Sequence, residues 1–295
     1  MRADRTVTLL CAGFLGRARW LDPAGATPVL MYHNVSSPDE TRVHPYYRLA
    51  TSPERFRTQM RVLAESGYVA TGLAQAMETS ALGVRGARRA VVTFDDGYVD
   101  FLVNAWPILE EFSFTASVFL PTAFIGNARR SFKGRECLTW SEVRELSRRG
   151  VSFGSHTVTH PALHRLPWPE VCSELRESRE EIAAAIGTPV TTFAYPYAFP
   201  QHDDAFVVRF CRELREQGYK AAVTTRIGRV AAGDDPFQLK RLPVNDADDP
   251  QLFQAKLAGA YDWLGWLQSA SKRIRGRRHG GDRRLTYAST TSGLL

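Results

Sequence analysis

The run Val91-Val92-Thr93-Phe94-Asp95-Asp96-Gly97-Tyr98 constrains this chain more than any other stretch. Its first four residues are apolar or β-branched and predict a short buried strand. The strand ends in two adjacent carboxylates and a glycine. Burying an unpaired carboxylate costs several kcal/mol, so a fold that takes this strand inside must compensate the charges with arginine, solvent or a metal ion. An ordinary Asp-Asp-Gly surface turn accounts for the same residues equally well at this point.

A second stretch narrows the choice. Val151-Ser152-Phe153-Gly154-Ser155-His156 predicts another strand and runs into His156-Thr157-Val158-Thr159-His160-Pro161. Two histidines four apart, at a strand end entering a turn, can aim both imidazoles at one point. With one carboxylate they make a three-ligand site with open coordination positions, the manner in which a catalytic metal is held. The histidine spacing alone would also arise from two surface residues. Its pairing with a strand-terminal Asp-Asp is what gives it weight.

Taken together, Thr93-Phe94-Asp95-Asp96-Gly97 and His156-Thr157-Val158-Thr159-His160-Pro161 resemble the first two motifs of the polysaccharide deacetylases (NodB homology, carbohydrate esterase family 4). Phe193-Ala194-Tyr195-Pro196-Tyr197 looks like that family's Arg-x-Pro-Tyr segment without its arginine, and the resemblance spans Pro28 to Val244. It implies an α/β fold, a distorted (β/α)7 barrel in a single domain. It implies a divalent metal, with zinc expected, on Asp96, His156 and His160, with Asp95 as general base and the backbone N–H of Tyr197 on the oxyanion. Two family features are missing. Ala194 stands where an arginine would orient the base; Arg241, at the end of a late strand, is a candidate substitute, and a solvent-facing charge is the alternative. The Leu-x-His motif near the C-terminus has no histidine in Gln238-Leu239-Lys240-Arg241-Leu242-Pro243-Val244.

The departing amine still needs a proton, and imidazole titrates in the range to supply it. Leu30-Met31-Tyr32-His33 is an apolar strand ending in histidine at the other end of the chain. First and last strands of a closed barrel are neighbours, so His33 is the expected general acid. A histidine hydrogen-bonded for structure is the alternative. The stretch Leu30 to Val35 also resembles the poly-N-acetylglucosamine deacetylase branch, where motif order is permuted in this way.

Strand and helix signals alternate with short connectors, which predicts a parallel sheet. Ser52-Pro53, the capping box at Thr139-Trp140-Ser141-Glu142, Pro169 and Asp249-Pro250 open helices; another runs from Asp203 to Gln217 and one from Tyr98 to Phe112 with Pro107 bending it. Asn34 to Ala50 shows no periodicity and reads as a loop. His33, Asp95, Asp96, His156 and Tyr197 all fall at or just after predicted strand ends, where α/β barrels build their sites. His164 and His202 read as surface residues. Trp140 is a candidate sugar platform, with core packing as the alternative.

The chain is expected to divide into a helical or linker segment at 1–27, the barrel with a C-terminal helix at 28–270, and a tail at 271–295 that charge sets apart. The tail holds seven basic residues against Asp282, a net of +6 out of the chain's +7. The body is therefore near neutral, and the basic pI describes a tail rather than a nucleic-acid-binding fold. Peripheral contact of the tail with anionic membrane is one expectation, a solvated terminus the other. No apolar run approaches the roughly 20 residues of a membrane span. Val7 to Leu15 is short and flanked by arginines, so a cytoplasmic location is expected ahead of secretion. The four cysteines are scattered and suggest neither a zinc knuckle nor a disulfide framework. The function expected is metal-dependent removal of N-acetyl groups from an amino-sugar glycan or glycolipid. Hydrolysis of another linear amide such as a formamide, and carbohydrate binding without turnover, are the alternatives.

Overall fold

A computed structural model describes residues 3–15, 26–37, 43–81 and 88–268. Helix α1 (Ala3–Leu15) is followed by β1 (Val29–Tyr32), a small parallel pair β2 (Asn34–Val35) and β3 (Ala50–Thr51), α2 (Pro53–Glu65), β4 (Tyr68–Thr71), α3 (Leu73–Ala81) and β5 (Arg88–Phe94). Next come α4 (Trp106–Glu111), β6 (Ser117–Leu120), a hairpin of β7 (Ser131–Phe132) and β8 (Arg135–Glu136), α5 (Trp140–Arg148) and β9 (Ser152–Ser155). The chain continues through α6 (Trp168–Ile186), β10 (Thr192–Ala194), α7 (Asp204–Glu216), β11 (Ala221–Ile227), β12 (Leu239–Pro243) and α8 (Pro250–Leu257).

Seven parallel strands close into a barrel in the order β1-β12-β11-β10-β9-β6-β5, with β5 returning to β1. β4 lies along the first half of β5, Tyr68 opposite Arg88, while β1 takes the second half, Val29 opposite Val91. The first and last barrel strands are neighbours: Leu30 pairs with Leu242, and the Val244 N–H donates to the Met31 carbonyl at 3.1 Å.

Strand residues alternate between two faces, and the two faces form two cores. Val29, Val91, Phe119, Ala194, Val223 and Leu239 fill the barrel interior. Leu30, Val92, Val118, Phe153, Phe193 and Leu242 sit outside, beneath the helices. Leu73 and Ala76 of α3 join the inner core, and the Leu73 N–H donates to Ser117 Oγ at 2.8 Å, at the start of β6. Thus α3 stoppers the barrel at the strand N-terminal ends. The same period of two carries Thr93 and Asp95 of the β5 segment, Arg241 of β12 and His33 after β1 onto the inner side, above that plug.

Four sequence readings change. The polar stretch at 34–50 contains the pair β2–β3, because Asn34 and Val35 continue β1 far enough to meet Ala50 and Thr51. A helix forms at Leu73–Ala81, where no element was read, since its apolar residues face the barrel interior rather than a surface groove. The helix expected from Tyr98 begins later: Tyr98 bridges to Cys137, a wide π-turn spans Phe101–Ala105, and α4 starts at Trp106 with Pro107 in its first turn. The single helix expected after Asp249 is interrupted by Gly259 at φ 89° and resumes at 262–268. In the same region α1 packs on α8, with Arg5 Nε 2.6 Å from Asp249 Oδ2 and the Tyr261 hydroxyl donating to Asp4. The tail at 271–295, and the membrane contact expected of it, lie outside the described residues.

The capping box of α5 is present as read. Thr139 Oγ1 accepts from the Glu142 N–H at 3.4 Å, and the Glu142 carboxylate accepts from the Thr139 N–H at 2.8 Å. Thr139→Ala is expected to lower stability by about 1 kcal/mol, measurable as a shifted urea midpoint with unchanged slope; an unshifted midpoint would refute it.

Candidate active site

The β5 strand carries its two carboxylates straight to the top of the barrel. Asp95 is 3% exposed and Asp96 1%. Asp95 meets a guanidinium that crosses the interior from β12: Arg241 Nη1 lies 2.7 Å from Oδ1 and Nη2 2.8 Å from Oδ2. Arg241 is itself buried, and its Nε donates to the Thr224 carbonyl at 2.9 Å. Arg241 therefore makes the contact with Asp95 that Ala194 cannot, and the solvent-facing alternative is overturned. Burial pushes the Asp95 carboxyl upward. The Arg241 charge, then the His156 charge and the Arg241 hydrogen bonds, more than reverse this and hold it well below the usual carboxylate range.

Asp96 departs from strand geometry, with φ 71°, followed by Gly97 at φ 62°. A side chain at Gly97 would meet Leu120 Cδ2 at 2.7 Å, so this turn requires glycine. The turn aims Asp96 Oδ1 at the Nε2 atoms of His156 (3.6 Å) and His160 (3.4 Å). His156 lies just past β9, on the inner face two residues beyond Gly154. A Cβ on Gly154 would come within 2.5 Å of Phe119 and 2.6 Å of Thr192 Oγ1, so bulk there would displace the strand that delivers His156. His156 Nδ1 bonds the Ala194 carbonyl at 2.7 Å, which makes Nδ1 the protonated nitrogen and leaves the Nε2 lone pair facing Asp96. His160 is brought back over the site by a turn in which Thr157 (φ 71°) and His160 (φ 58°) both adopt left-handed backbone. The Thr157 hydroxyl accepts the His160 N–H at 2.9 Å and Glu174 accepts the Val158 N–H at 2.7 Å, fixing that turn.

Donor atoms of Asp96, His156 and His160 all lie within 4.8 Å of one another, and all three residues are buried. Asp96 Oδ1 has no hydrogen-bond partner among the described residues. A buried, ionised oxygen without a donor, facing the Nε2 atoms of two imidazoles, is a donor set that a cation completes. Protonation favours the same state. Burial and the opposing His156 charge push His160 down to about 3, and burial lowers His156 despite the nearby aspartates, so both rings are neutral at neutral pH.

His33 follows β1 on the inner side, half-buried, directly after Tyr32, whose carbonyl accepts the Asp95 N–H at 3.0 Å. Tyr197 follows β10 at φ 58°, its ring 4.5 Å from that of His160 and 52% exposed at the rim. The six predicted site residues therefore gather at one end of the barrel. His164 and His202 are exposed. Trp140 is in the first turn of α5 and 8% exposed, so it packs in the core and offers no sugar platform. Sequence reasoning missed the β7–β8 hairpin, whose Lys133 Nζ stands 3.7 Å from Asp96 Oδ2; a Lys-Gly pair between two short extended segments was the available signal.

A seven-stranded parallel barrel with a buried one-carboxylate, two-imidazole centre and a second, arginine-held carboxylate beside it is the architecture of a hydrolase that works at the strand C-terminal ends. Residues 83–222 match the model of the polysaccharide deacetylase domain, a family of hydrolases. YxkH of Bacillus subtilis, provisionally named a polysaccharide deacetylase, is 25% identical over 229 residues, 77% of this chain and 75% of that protein. The poly-β-1,6-N-acetyl-D-glucosamine N-deacetylase of Escherichia coli K12 is 34% identical over 146 residues, 46% of this chain but 21% of that longer protein. The Streptococcus pyogenes deacetylase PplD, solved with acetate, shares the fold at a TM-score of 0.68 and 24% identity, covering 79% of this chain and 98% of that one.

Proposed function

We propose that the chain hydrolyses the N-acetyl group of an amino-sugar glycan or glycolipid, using a divalent metal held by Asp96, His156 and His160. The observation that carries this reading is the donor-less Asp96 Oδ1 facing two neutral imidazoles, with Asp95 ionised alongside. Similarity to the Escherichia coli N-deacetylase supports the acetylated amino sugar as substrate. A divalent cation bound there, zinc by the donor set, would polarise the amide carbonyl and acidify a water.

The chain's own residues supply the rest. Asp95, kept charged and fixed by the Arg241 fork, takes the proton from the attacking water. His33 gives a proton to the departing amine nitrogen. The backbone N–H of Tyr197 donates to the developing oxyanion, and its exposed ring offers an apolar edge to the sugar at the rim.

Acetate release from N-acetylglucosamine oligomers, abolished by a chelator and restored by zinc, tests the proposal as a whole. Release of formate from a formamide, with no acetate from those oligomers, would move the function to another linear amide. Oligomer binding without either product would make the chain a carbohydrate-binding relative. His156→Ala is expected to remove the metal from the protein, and full occupancy of that variant by elemental analysis would refute the ligand set.

A further inference from the structure

The two oxygens of Asp96 have different surroundings. Oδ1 faces the imidazole Nε2 atoms and has no hydrogen-bond partner among the described residues. Oδ2 accepts the Tyr98 hydroxyl at 3.0 Å and lies 3.7 Å from Lys133 Nζ. A carboxylate engaged twice through one oxygen has only the other to offer a cation.

The placement of both partners is built into the fold. Lys133 (φ 49°) and Gly134 (φ 77°) form the two-residue turn of the β7–β8 hairpin, a turn type that needs positive φ at both positions. Glycine adopts that conformation freely, whereas for lysine it is strained. The hairpin is fastened on two sides. Arg135 Nη1 donates to Ser36 Oγ at 3.1 Å, and the Phe132 ring packs 4.2 Å from that of Phe124. The Lys133 ammonium rests over the Phe132 and Tyr197 rings at 4.5 and 5.3 Å. Tyr98 is buried and bridges to Cys137, directly after the hairpin. The hairpin therefore carries Lys133 to this oxygen, and the segment directly after it braces Tyr98 on the same atom.

We infer that Tyr98 and Lys133 are positioning residues that hold Asp96 to one-oxygen ligation through Oδ1. The inference rests on the metal reading above and deepens it. Three protein donors, two of them nitrogen, suit zinc-like cations and leave positions for water and substrate. Freed of its two partners, Oδ2 would be available to a cation as a fourth donor, making the site more oxygen-rich.

The test uses the full chain loaded with zinc or with cobalt(II), and three variants: Tyr98→Phe, Lys133→Met and Lys133→Arg. Loss of an outer partner of a metal ligand lowers affinity by about 10- to 100-fold, and that loss is expected for Tyr98→Phe and Lys133→Met by chelator competition. Their cobalt(II) visible absorption is expected to weaken, as it does when coordination number rises. Lys133→Arg is expected to restore both readouts. The Lys133 side chain is 42% exposed, so its variants leave the packing of the barrel intact. Affinity and spectrum unchanged in both Tyr98→Phe and Lys133→Met overturn the inference. A fall in affinity with an unchanged spectrum also overturns it, since the pair would then support the site without setting its denticity. A wild-type protein that binds no cation overturns the metal reading itself, and this inference with it.

Discussion

Arg241→Met is expected to destabilise the metal-free protein by about 3–5 kcal/mol at neutral pH, the range for breaking a buried ion pair by removing one partner. The guanidinium reaches Asp95 through two hydrogen bonds, with Arg241 1% and Asp95 3% exposed, and methionine fills the space without the charge. The pH dependence gives the sign. In the wild type the Asp95 carboxyl is held below its unfolded range, so its contribution to stability is present above about pH 4 and fades as pH falls through the folded value. Without Arg241, burial is the largest remaining influence and raises the carboxyl. The group then binds a proton in the folded state that the unfolded chain releases, and its contribution is lost as pH rises. The deficit of the variant should therefore shrink on going from pH 7 to pH 4. Urea unfolding at the two pH values measures this, and a deficit that stays constant or grows with acidity would refute the ion pair as its source. Turnover should fall as well, because the carboxylate proposed to accept the water's proton loses the fork that fixes it.

That arginine shows how far the sequence could be read. A strand ending in Asp-Asp, and histidines four apart after another strand, are local patterns whose chemistry survives any fold that brings strand ends together. They pointed, before any coordinate, to residues that the fold brings together at one end of the barrel. The Arg241–Asp95 contact is not local. It depends on β12 lying one strand away from β5, across β1, and on both residues falling on the inner side of the period-two alternation. From sequence this was one of two placements for Arg241, and barrel closure decides between them. The hairpin was illegible for a different reason. Its strands are two residues each and its turn uses lysine where asparagine or glycine ordinarily signals positive φ. Helix α3 was missed because it faces a barrel interior that no periodic stripe of its own announces.

Backbone strain marks the same site independently. Among the described residues six non-glycine residues have positive φ, and five of them (Asp96, Lys133, Thr157, His160 and Tyr197) surround the candidate metal centre. Thr157 is β-branched, for which this region is a true outlier. Each such residue costs on the order of 1–3 kcal/mol, and their clustering says that the fold spends stability on aiming side chains at a single point. Glu174, which accepts the Val158 and Thr159 N–H groups, and the Thr157 hydroxyl hold the histidine turn against relaxing.

His33→Ala is expected to keep the fold and the metal and to lower kcat by roughly 10²–10⁴, the span for removing a general acid. The histidine stands past the end of β1, between β12 and β5, directly after Tyr32, whose carbonyl accepts the Asp95 N–H at 3.0 Å. No described residue of the β12 segment offers an imidazole, since that strand reads Leu239-Lys240-Arg241-Leu242-Pro243. The amine leaving an acetamide is too basic to depart without a proton, whereas an activated aryl acetate leaves unassisted. The defect should accordingly be large on N-acetylglucosamine oligomers and small on the activated ester. Asp95→Asn, which removes the acceptor for the water's proton, should impair both substrates while retaining metal. Combined with His33→Ala it should cost less on the oligomer than the two single losses multiplied, because residues acting on one reaction are not additive. An unactivated acetamide turned over by His33→Ala at the wild-type rate would end the assignment. Loss of the metal in that variant would make His33 a ligand rather than an acid.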